Sequence, residues 1–185
     1  MAVTRRSLCA GALAAAVGGT AAAPMLVIGQ EDADARVLDL LLLVEQTESA
    51  FYSAALDAGI LKGELLDFAE TVATHEREHL AVVEAAVGEP SSAPDFDFSR
   101  SLGDASAFAR AAASLEDAAV GAYNGQAGHV SAKVFTVAAR IVSVEARHAA
   151  WVRSIEDRDP APDATDRAWT EAQVRRRLDE IGGTG

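Results

Sequence analysis

Apolar residues recur every three or four positions along four long stretches of the chain, and this spacing predicts four α-helices. The stretches cover residues 32–59, 64–87, 104–123 and 131–155. Gly59 closes the first stretch and Gly88 follows the second, at the place where a glycine commonly ends a helix. A shorter, more polar stretch over residues 163–181 predicts a fifth helix after Pro160 and Pro162.

The connections between these stretches predict how the helices are arranged. Short links join the first helix to the second and the third to the fourth, which favours two antiparallel hairpins. The link after Gly88 is about 15 residues long, contains Pro90 and Pro94, and predicts a crossover along the bundle that Phe96 and Phe98 pin to its surface. We therefore predict an all-α four-helix bundle over residues 30–158, with a long crossover between helices 2 and 3. A Pro-containing linker and a short C-terminal helix occupy residues 159–185.

Ionisable residues interrupt the apolar rows at matching places in the second and fourth helices. Glu76 is followed three residues later by His79, and Glu145 is followed in the same way by His148. Residues three apart share one face of a helix, so each pair aims two ligands at one point. A carboxylate in an apolar core is costly unless it is paired or binds a metal. Two such pairs therefore indicate a metal site.

The two hairpins also repeat their chemistry in the same order. In the first hairpin a glutamate, Glu45, precedes Tyr52 by seven residues, and in the second Glu116 precedes Tyr123 by the same step. Such a repeat predicts a pseudo-twofold site at the centre of the bundle. Glu48 is an alternative ligand on the first helix, and we prefer Glu45 because it alone reproduces the step that Glu116 shows. We expect the tyrosine hydroxyls to bond nearby carboxylates, with a redox role as the alternative.

For five other residues near these motifs we predict exposure, packing or a position beside a ligand, and no direct binding of metal. His75 lies one residue off the ligand face, so we expect it to be exposed or to lie next to a ligand. Arg77 and Arg147 each stand between a glutamate and a histidine, and we expect both to point into solvent. Trp151 and Trp169 are interpreted as packing residues.

In these motifs the chain resembles the ferritin-like superfamily, and more narrowly its exported ferritin-like domain proteins. The resemblance covers roughly residues 32–156 and rests on four segments: Val44 to Tyr52, His75 to His79, Leu115 to Tyr123 and Val144 to His148. It implies a dinuclear site in which Glu76 and Glu145 bridge two metals. Glu45 and Glu116 would then be terminal ligands, and His79 and His148 would each bind one ion.

The resemblance implies two divalent metal ions as cofactors. Oxygen and imidazole ligands suit iron or manganese, and we favour iron. The expected function is redox or oxidative-stress chemistry, such as ferrous oxidation or peroxide removal, and a non-catalytic structural or metal-binding protein is the alternative. Whether the protein is an enzyme stays open at this point.

A zinc metalloprotease is a more distant alternative. Residues 75–79 contain the His-Glu-x-x-His pattern of those enzymes, with two histidine ligands and Glu76 as the base. That interpretation leaves the second Glu-x-x-His pair and the glutamates of helices 1 and 3 without a role.

Charge and the N-terminal segment indicate which partners to expect. The formal net charge is −12 and only Lys62 and Lys133 are lysines, which argues against a nucleic-acid partner. Residues 1–29 contain Arg5-Arg6 and then an uncharged run, which predicts a twin-arginine signal peptide and the twin-arginine export machinery as a partner. The protein is then expected in the periplasm, on the cell surface or outside the cell. A membrane contact arises only if the signal stays uncleaved.

Overall fold

A computed structural model describes residues 29–183, and its helices confirm the predicted all-α class. The described residues form five α-helices: α1 Gln30–Ala58, α2 Glu64–Val87, α3 Ala105–Gln126, α4 Ala132–Ile155 and α5 Glu171–Gly182. A 3-10 turn, Ala127–His129, joins α3 to α4, and this part of the chain contains no β-strand. The predicted signal segment lies outside the described residues, apart from Gly29. Between residues 29 and 183, no helix is both long and apolar enough to cross a membrane.

Helices α1 to α4 form a bundle whose neighbours follow the order α1, α2, α4, α3 around the axis. Helix α1 packs against α2 and α3, and α4 packs against the same two helices from the opposite side. The starts of α1 and α4 lie together, since Asp34 Oδ1 accepts a hydrogen bond of 2.7 Å from the Ser131 backbone N–H. Because α3 ends just before Ser131, α3 runs antiparallel to α1.

The crossover, residues 88–104, therefore joins diagonally opposite helices and runs the length of the bundle. Gln46 of α1 donates a hydrogen bond of 2.8 Å to the Ser91 carbonyl. Further along, the buried Phe98 ring packs edge-on against Phe51, with 5.4 Å between ring centroids. The predicted crossover is confirmed, and Phe98 anchors it as expected.

Two helix bounds differ from the sequence-based expectation by more than two residues. The predicted loop after Tyr123 is helical through Gln126, and α5 begins at Glu171 instead of residue 163. The start of α5 is fixed by Thr170, which forms a reciprocal capping pair with Gln173. Just before it, the Trp169 backbone N–H donates a hydrogen bond of 2.9 Å to the Gly121 carbonyl. This contact holds the linker on α3 in a non-helical path.

Helix α5 closes one side of the bundle. It packs mainly on α3, and its apolar face buries Val174, Leu178 and Ile181. The Ser101 hydroxyl of the crossover donates to the Ile181 carbonyl at 2.7 Å. The C-terminal helix thus belongs to the same core as the four-helix bundle.

Candidate metal centre

The four bundle helices bring all six predicted ligands into one buried centre. They form two groups of four, in each of which one potential ligand atom per residue lies within 4.8 Å of the others. The first group is Glu45, Glu76, His79 and Glu145, and the second is Glu76, Glu116, Glu145 and His148. The four glutamates are 0% exposed, and the histidines are 9% and 3% exposed. Glu76 and Glu145 belong to both groups, so the two groups share a pair of carboxylates.

Both histidines turn the same ring atom, Nδ1, toward the centre. His79 Nδ1 lies 2.7 Å from Glu145 Oε1 and 3.1 Å from Glu76 Oε2. His148 Nδ1 lies 3.1 Å from Glu76 Oε1 and 3.4 Å from Glu116 Oε2. Each imidazole therefore contacts a carboxylate that both groups share.

Two tyrosines each reach from one hairpin to the other and bind the two glutamates that belong to only one group. Tyr52 of α1 donates its hydroxyl to Glu116 Oε1 of α3, and Tyr123 of α3 donates to Glu45 Oε1 of α1. Burial, and then the adjacent carboxylate, raises the pKa of both tyrosines well above the ordinary value. They therefore stay protonated and donate, as predicted. One oxygen of each glutamate is thus fixed while the other stays free.

The centre is short of hydrogen-bond donors, and this fits a cation. Every carboxylate there has at least one fully buried oxygen without a hydrogen bond, namely Glu45 Oε2, both oxygens of Glu48, Glu76 Oε1, Glu116 Oε2 and both oxygens of Glu145. A histidine offers one N–H at Nδ1, so two imidazoles cannot satisfy this many acceptors. Buried carboxylates without partners are strongly destabilising. Divalent cations between them would supply the missing attraction.

The pKa values show how the same charges behave without a cation. Burial raises the pKa of Glu116 to about 7, although His148 and Tyr52 lower it in part. Burial, with Glu145 and Glu76 adding to it, raises the pKa of Glu45 well above the ordinary value. Burial alone would lower the pKa of His79, but the adjacent carboxylates of Glu145 and Glu76 outweigh burial and raise the pKa to about 10. Without a cation, Glu45, Glu116 and His79 therefore hold their protons at higher pH than exposed groups of the same kind.

His75 lies next to a predicted ligand, His148, as one of its two interpretations predicted. Its Nδ1 is 2.9 Å from His148 Nε2, and the two rings stack with centroids 5.1 Å apart. Burial, followed by the neighbouring histidines, lowers the pKa of His75. A neutral His75 can accept the Nε2–H of His148 and so leave His148 Nδ1 directed at the carboxylates. His75 belongs to neither group of potential ligands, although the zinc-protease pattern requires it as one.

The other residues with predicted positions also lie where expected. Arg77 and Arg147 are exposed on α2 and α4. Trp151 packs edge-on against Phe68, with 5.2 Å between centroids, and Trp169 packs against the core from the linker.

Glu48 is the residue whose importance the sequence-based choice missed. It is 0% exposed, and neither of its oxygens makes a hydrogen bond. Glu45 and Glu48 are alternative ligands in the sequence-based prediction, whereas in the structure both carboxylates are fully buried. The signal was present in their spacing, because residues three apart on α1 share a face.

The fold and the centre together define a class: helical bundles that gather carboxylates and imidazoles from all four helices around a buried centre. A family model of the ferritin-like domain matches residues 33–157, and the chain belongs to this family. A search of curated proteins gave no match.

Proposed function

We propose that this protein binds a pair of divalent metal ions at the centre of its bundle. The observation that carries the proposal is the sharing of Glu76 and Glu145 by two overlapping groups of buried ligands. The two shared glutamates would then contact both ions. Glu45 and His79 would hold one ion, and Glu116 and His148 would hold the other.

Charge and ligand type favour iron, with manganese as the second choice. Four carboxylates balance the charge of two divalent cations, so the loaded core is close to neutral. Oxygen and imidazole donors suit these metals better than ions that prefer thiolates. The described residues contain no cysteine that could attract a softer metal.

We further propose redox chemistry of the kind used against oxidative stress. A pair of such ions, when bound, supplies reactions with dioxygen or peroxide, including ferrous oxidation and peroxide removal. The chain's own part is to hold the ligands and to limit access by water. Tyr52 fixes Glu116 while its ring packs edge-on against Phe68 and Phe108, 5.9 and 6.0 Å away between centroids. His79, at 9% exposed, is the most accessible of the six ligands and marks the side from which small molecules enter.

Export by the twin-arginine route is part of the same proposal. Arg5, Arg6 and the uncharged run after them support it. This route carries proteins that are already folded, so the centre can be loaded before the protein leaves the cytoplasm. The destination is the periplasm, the cell surface or the exterior.

Metal analysis of the full chain, folded in its own cytoplasm, tests the centre. We expect about two ions of iron or manganese per chain, followed by ferrous-oxidase or peroxide-removing activity. Glu76→Ala and Glu145→Ala should each lose both ions, because each residue contacts both. Glu78→Ala, an exposed acid on α2, is the matched control and should keep them.

Three results would change the proposal. Normal content of both ions in the Glu76 and Glu145 variants would refute the shared ligands. One zinc ion per chain would favour a metalloprotease. Two ions without either activity would replace redox chemistry by a non-catalytic metal-binding role.

A further inference from the structure

A surface pocket of about 330 Å³ lies where α5 meets α3 and the crossover. Three arginines line it, one from each of these elements: Arg100 of the crossover, Arg110 of α3 and Arg177 of α5. Among the described residues that line this arginine pocket, Glu180 is the one acid. Three positive charges and one negative charge leave a local charge of +2, in a chain whose formal net charge is −12. The pocket is therefore a site for an anion.

Two of the three arginines have no carboxylate partner. In the part of the chain that the structure describes, no acid lies within 4.0 Å of the charged nitrogens of Arg100 or Arg110. Both side chains are exposed, and Arg110 donates only to the Ser106 hydroxyl one turn earlier. Asp97 is close to Arg100, but its pKa is lowered first by a hydrogen bond from Ser99 and only last by Arg100. These two guanidinium groups therefore keep most of their donors for a ligand.

The third arginine is held in position by the linker and by α3. The Arg177 guanidinium stacks over the Trp169 ring, 5.5 Å from its centroid, and donates to the Ser114 hydroxyl. Its Nε is fully buried without a hydrogen bond, although Glu180 Oε2 lies 3.0 Å away. Glu180 therefore leaves part of the guanidinium unsatisfied. Since Arg177 is already fixed, it loses little side-chain freedom when an anion binds.

The donors of this pocket suit a phosphate group. Guanidinium groups bind phosphate oxygens in pairs, and arginines from three elements can reach different oxygens of one tetrahedral anion. Ser114 also lines the pocket and can donate its hydroxyl, because its oxygen already accepts from Arg177. The local charge of +2 matches a phosphate dianion, whereas one carboxylate would leave a positive charge uncompensated. The volume is at the lower end of small-molecule sites, so the first atoms of a phosphate ester also fit.

We propose that the arginine pocket binds a phosphate group, either as free phosphate or as a phosphate monoester. A monoester is available from soluble metabolites and from the head group of phosphatidic acid, and both present the same oxygens. The inference goes beyond the proposed metal pair and does not depend on it, because the pocket shares no residue with the two groups of potential metal ligands.

Calorimetric titration of the full chain with inorganic phosphate, at an ionic strength held constant with chloride, tests the pocket. Arg100→Gln and Arg110→Gln should each weaken binding about tenfold, because each removes charge-assisted hydrogen bonds. Both residues are exposed, so the fold should stay intact. Arg140→Gln is the matched control: it removes an exposed arginine of α4 outside the pocket and should bind phosphate as the wild type does.

A variant with the opposite effect separates recognition in the pocket from damage to it. Glu180→Gln removes the acid that repels phosphate, so it should tighten binding about threefold or more. Glu78→Gln removes the same charge from an exposed position of α2, outside the pocket, and should leave the affinity unchanged. A variant that only disturbed the pocket would not bind phosphate more tightly.

Two further ligands identify the source of the phosphate group. Glycerol 3-phosphate is a soluble monoester, and vesicles of phosphatidylcholine and phosphatidic acid in a four-to-one ratio present a monoester at a membrane surface. Vesicle binding that needs phosphatidic acid and is weakened in Arg110→Gln would assign the pocket to a lipid head group. Binding of glycerol 3-phosphate without vesicle binding would assign it to a soluble ligand.

Four results would overturn the inference. The first is a wild type that does not bind phosphate, and the second is equal weakening in Arg140→Gln, which would indicate unspecific attraction. Unchanged affinity in Arg100→Gln and Arg110→Gln would place the bound phosphate elsewhere, such as at a metal ion. Binding of a glutamate-rich peptide that these variants weaken, without binding of phosphate, would assign the pocket to an acidic protein partner instead.

Discussion

Glu116 shows how a single buried carboxylate makes the stability of the protein depend on pH when no cation is bound. Its pKa is raised by burial from an ordinary value of 4.5 to about 7. A raised pKa means that the folded state binds the proton more tightly than the unfolded state does. The stability gained in this way is fully present below pH 4.5 and is lost as the pH rises through about 7. Glu45 and Glu48 act in the same direction, because burial raises their pKa values as well.

We therefore predict that the metal-free protein becomes less stable between pH 4.5 and pH 7. One pKa unit corresponds to about 1.4 kcal/mol, so Glu116 alone contributes on the order of 3 kcal/mol to this loss. His79 extends the trend: its raised pKa gives stability that is present below pH 6.5 and is lost toward pH 10. Thermal unfolding of the metal-free protein at a series of pH values measures the effect, and Glu116→Gln should flatten the curve. Stability that rises from pH 5 to pH 8 would contradict the prediction.

For single residues of the candidate site, the sequence predicts the positions of those that recur in both hairpins better than the positions of those that occur once. The six predicted ligands share spacing and order across the two hairpins, so pattern alone could predict that their side chains lie together. Glu48 has no counterpart, and its meaning depends on the absence of a partner in three dimensions. The contact between His75 and His148 joins α2 to α4, and no local spacing indicates it.

Two glycines of α3 let the linker pack directly on the helix backbone. A Cβ atom at Gly125 would lie 1.9 Å from the Trp169 carbonyl oxygen, and one at Gly121 would lie 2.6 Å from the Trp169 ring. Both contacts lie far inside van der Waals distance. These glycines are required by the neighbouring segment and not by the course of α3 itself.

We predict that Gly125→Ala separates the linker from α3 and destabilises the protein by about 1–3 kcal/mol, because the linker backbone has to move. Gly128→Ala is the matched control, since a Cβ atom at Gly128 would meet nothing within 4 Å. Thermal unfolding measures the stability of both variants. The near-ultraviolet signal, to which Trp169 contributes, reports on the position of the linker. Equal stability of the two would show that the linker contact contributes nothing.

Helix bounds were predictable where local residues decide them. Helix α2 begins and ends at the predicted residues, and the positive φ of 64° at Gly59 ends α1 there. The end of α3 was predicted wrongly because Gly125 looks like a loop residue. Gly125 in fact packs against the backbone of Trp169, which lies more than 40 residues away in the sequence. The start of α5 was also predicted wrongly, because the contact of Trp169 with α3 keeps the residues before Thr170 out of a helix.

For the whole molecule, the proposed metal ions would compete with protons for one centre, and metal that binds only to the folded state would raise the free energy of unfolding. We predict that metal-loaded protein melts well above metal-free protein, with a gain of about 2.7 kcal/mol at a free concentration one hundred times the dissociation constant. The gap should widen from about pH 5 to about pH 8, as protons cease to compete. Thermal unfolding of both forms across this range is the measurement. A gap that narrows with rising pH would mean that the carboxylates do not hold a metal.

The proposed export involves the whole chain and is tested separately. Replacement of Arg5 and Arg6 by lysine should retain the protein in the cytoplasm, folded and loaded with metal, since the paired arginines form the recognised signal. Cell fractionation with metal analysis of the retained protein measures this. Replacement of Arg36, an exposed arginine near the start of α1, should leave export unchanged. Export that continues without the arginine pair would contradict the twin-arginine route.

The crossed tyrosine–glutamate pairs also have a kinetic consequence. Tyr52 meets Glu116, and Tyr123 meets Glu45, so each hairpin carries groups that only the other hairpin satisfies. Each hairpin can form from local contacts, but the centre exists only after the two have docked. Because each proposed ion takes ligands from both hairpins, we expect metal to stabilise the docked, folded state more than the transition state for folding. Bound metal would hardly change how fast the chain folds, and would act by lengthening the lifetime of the folded protein.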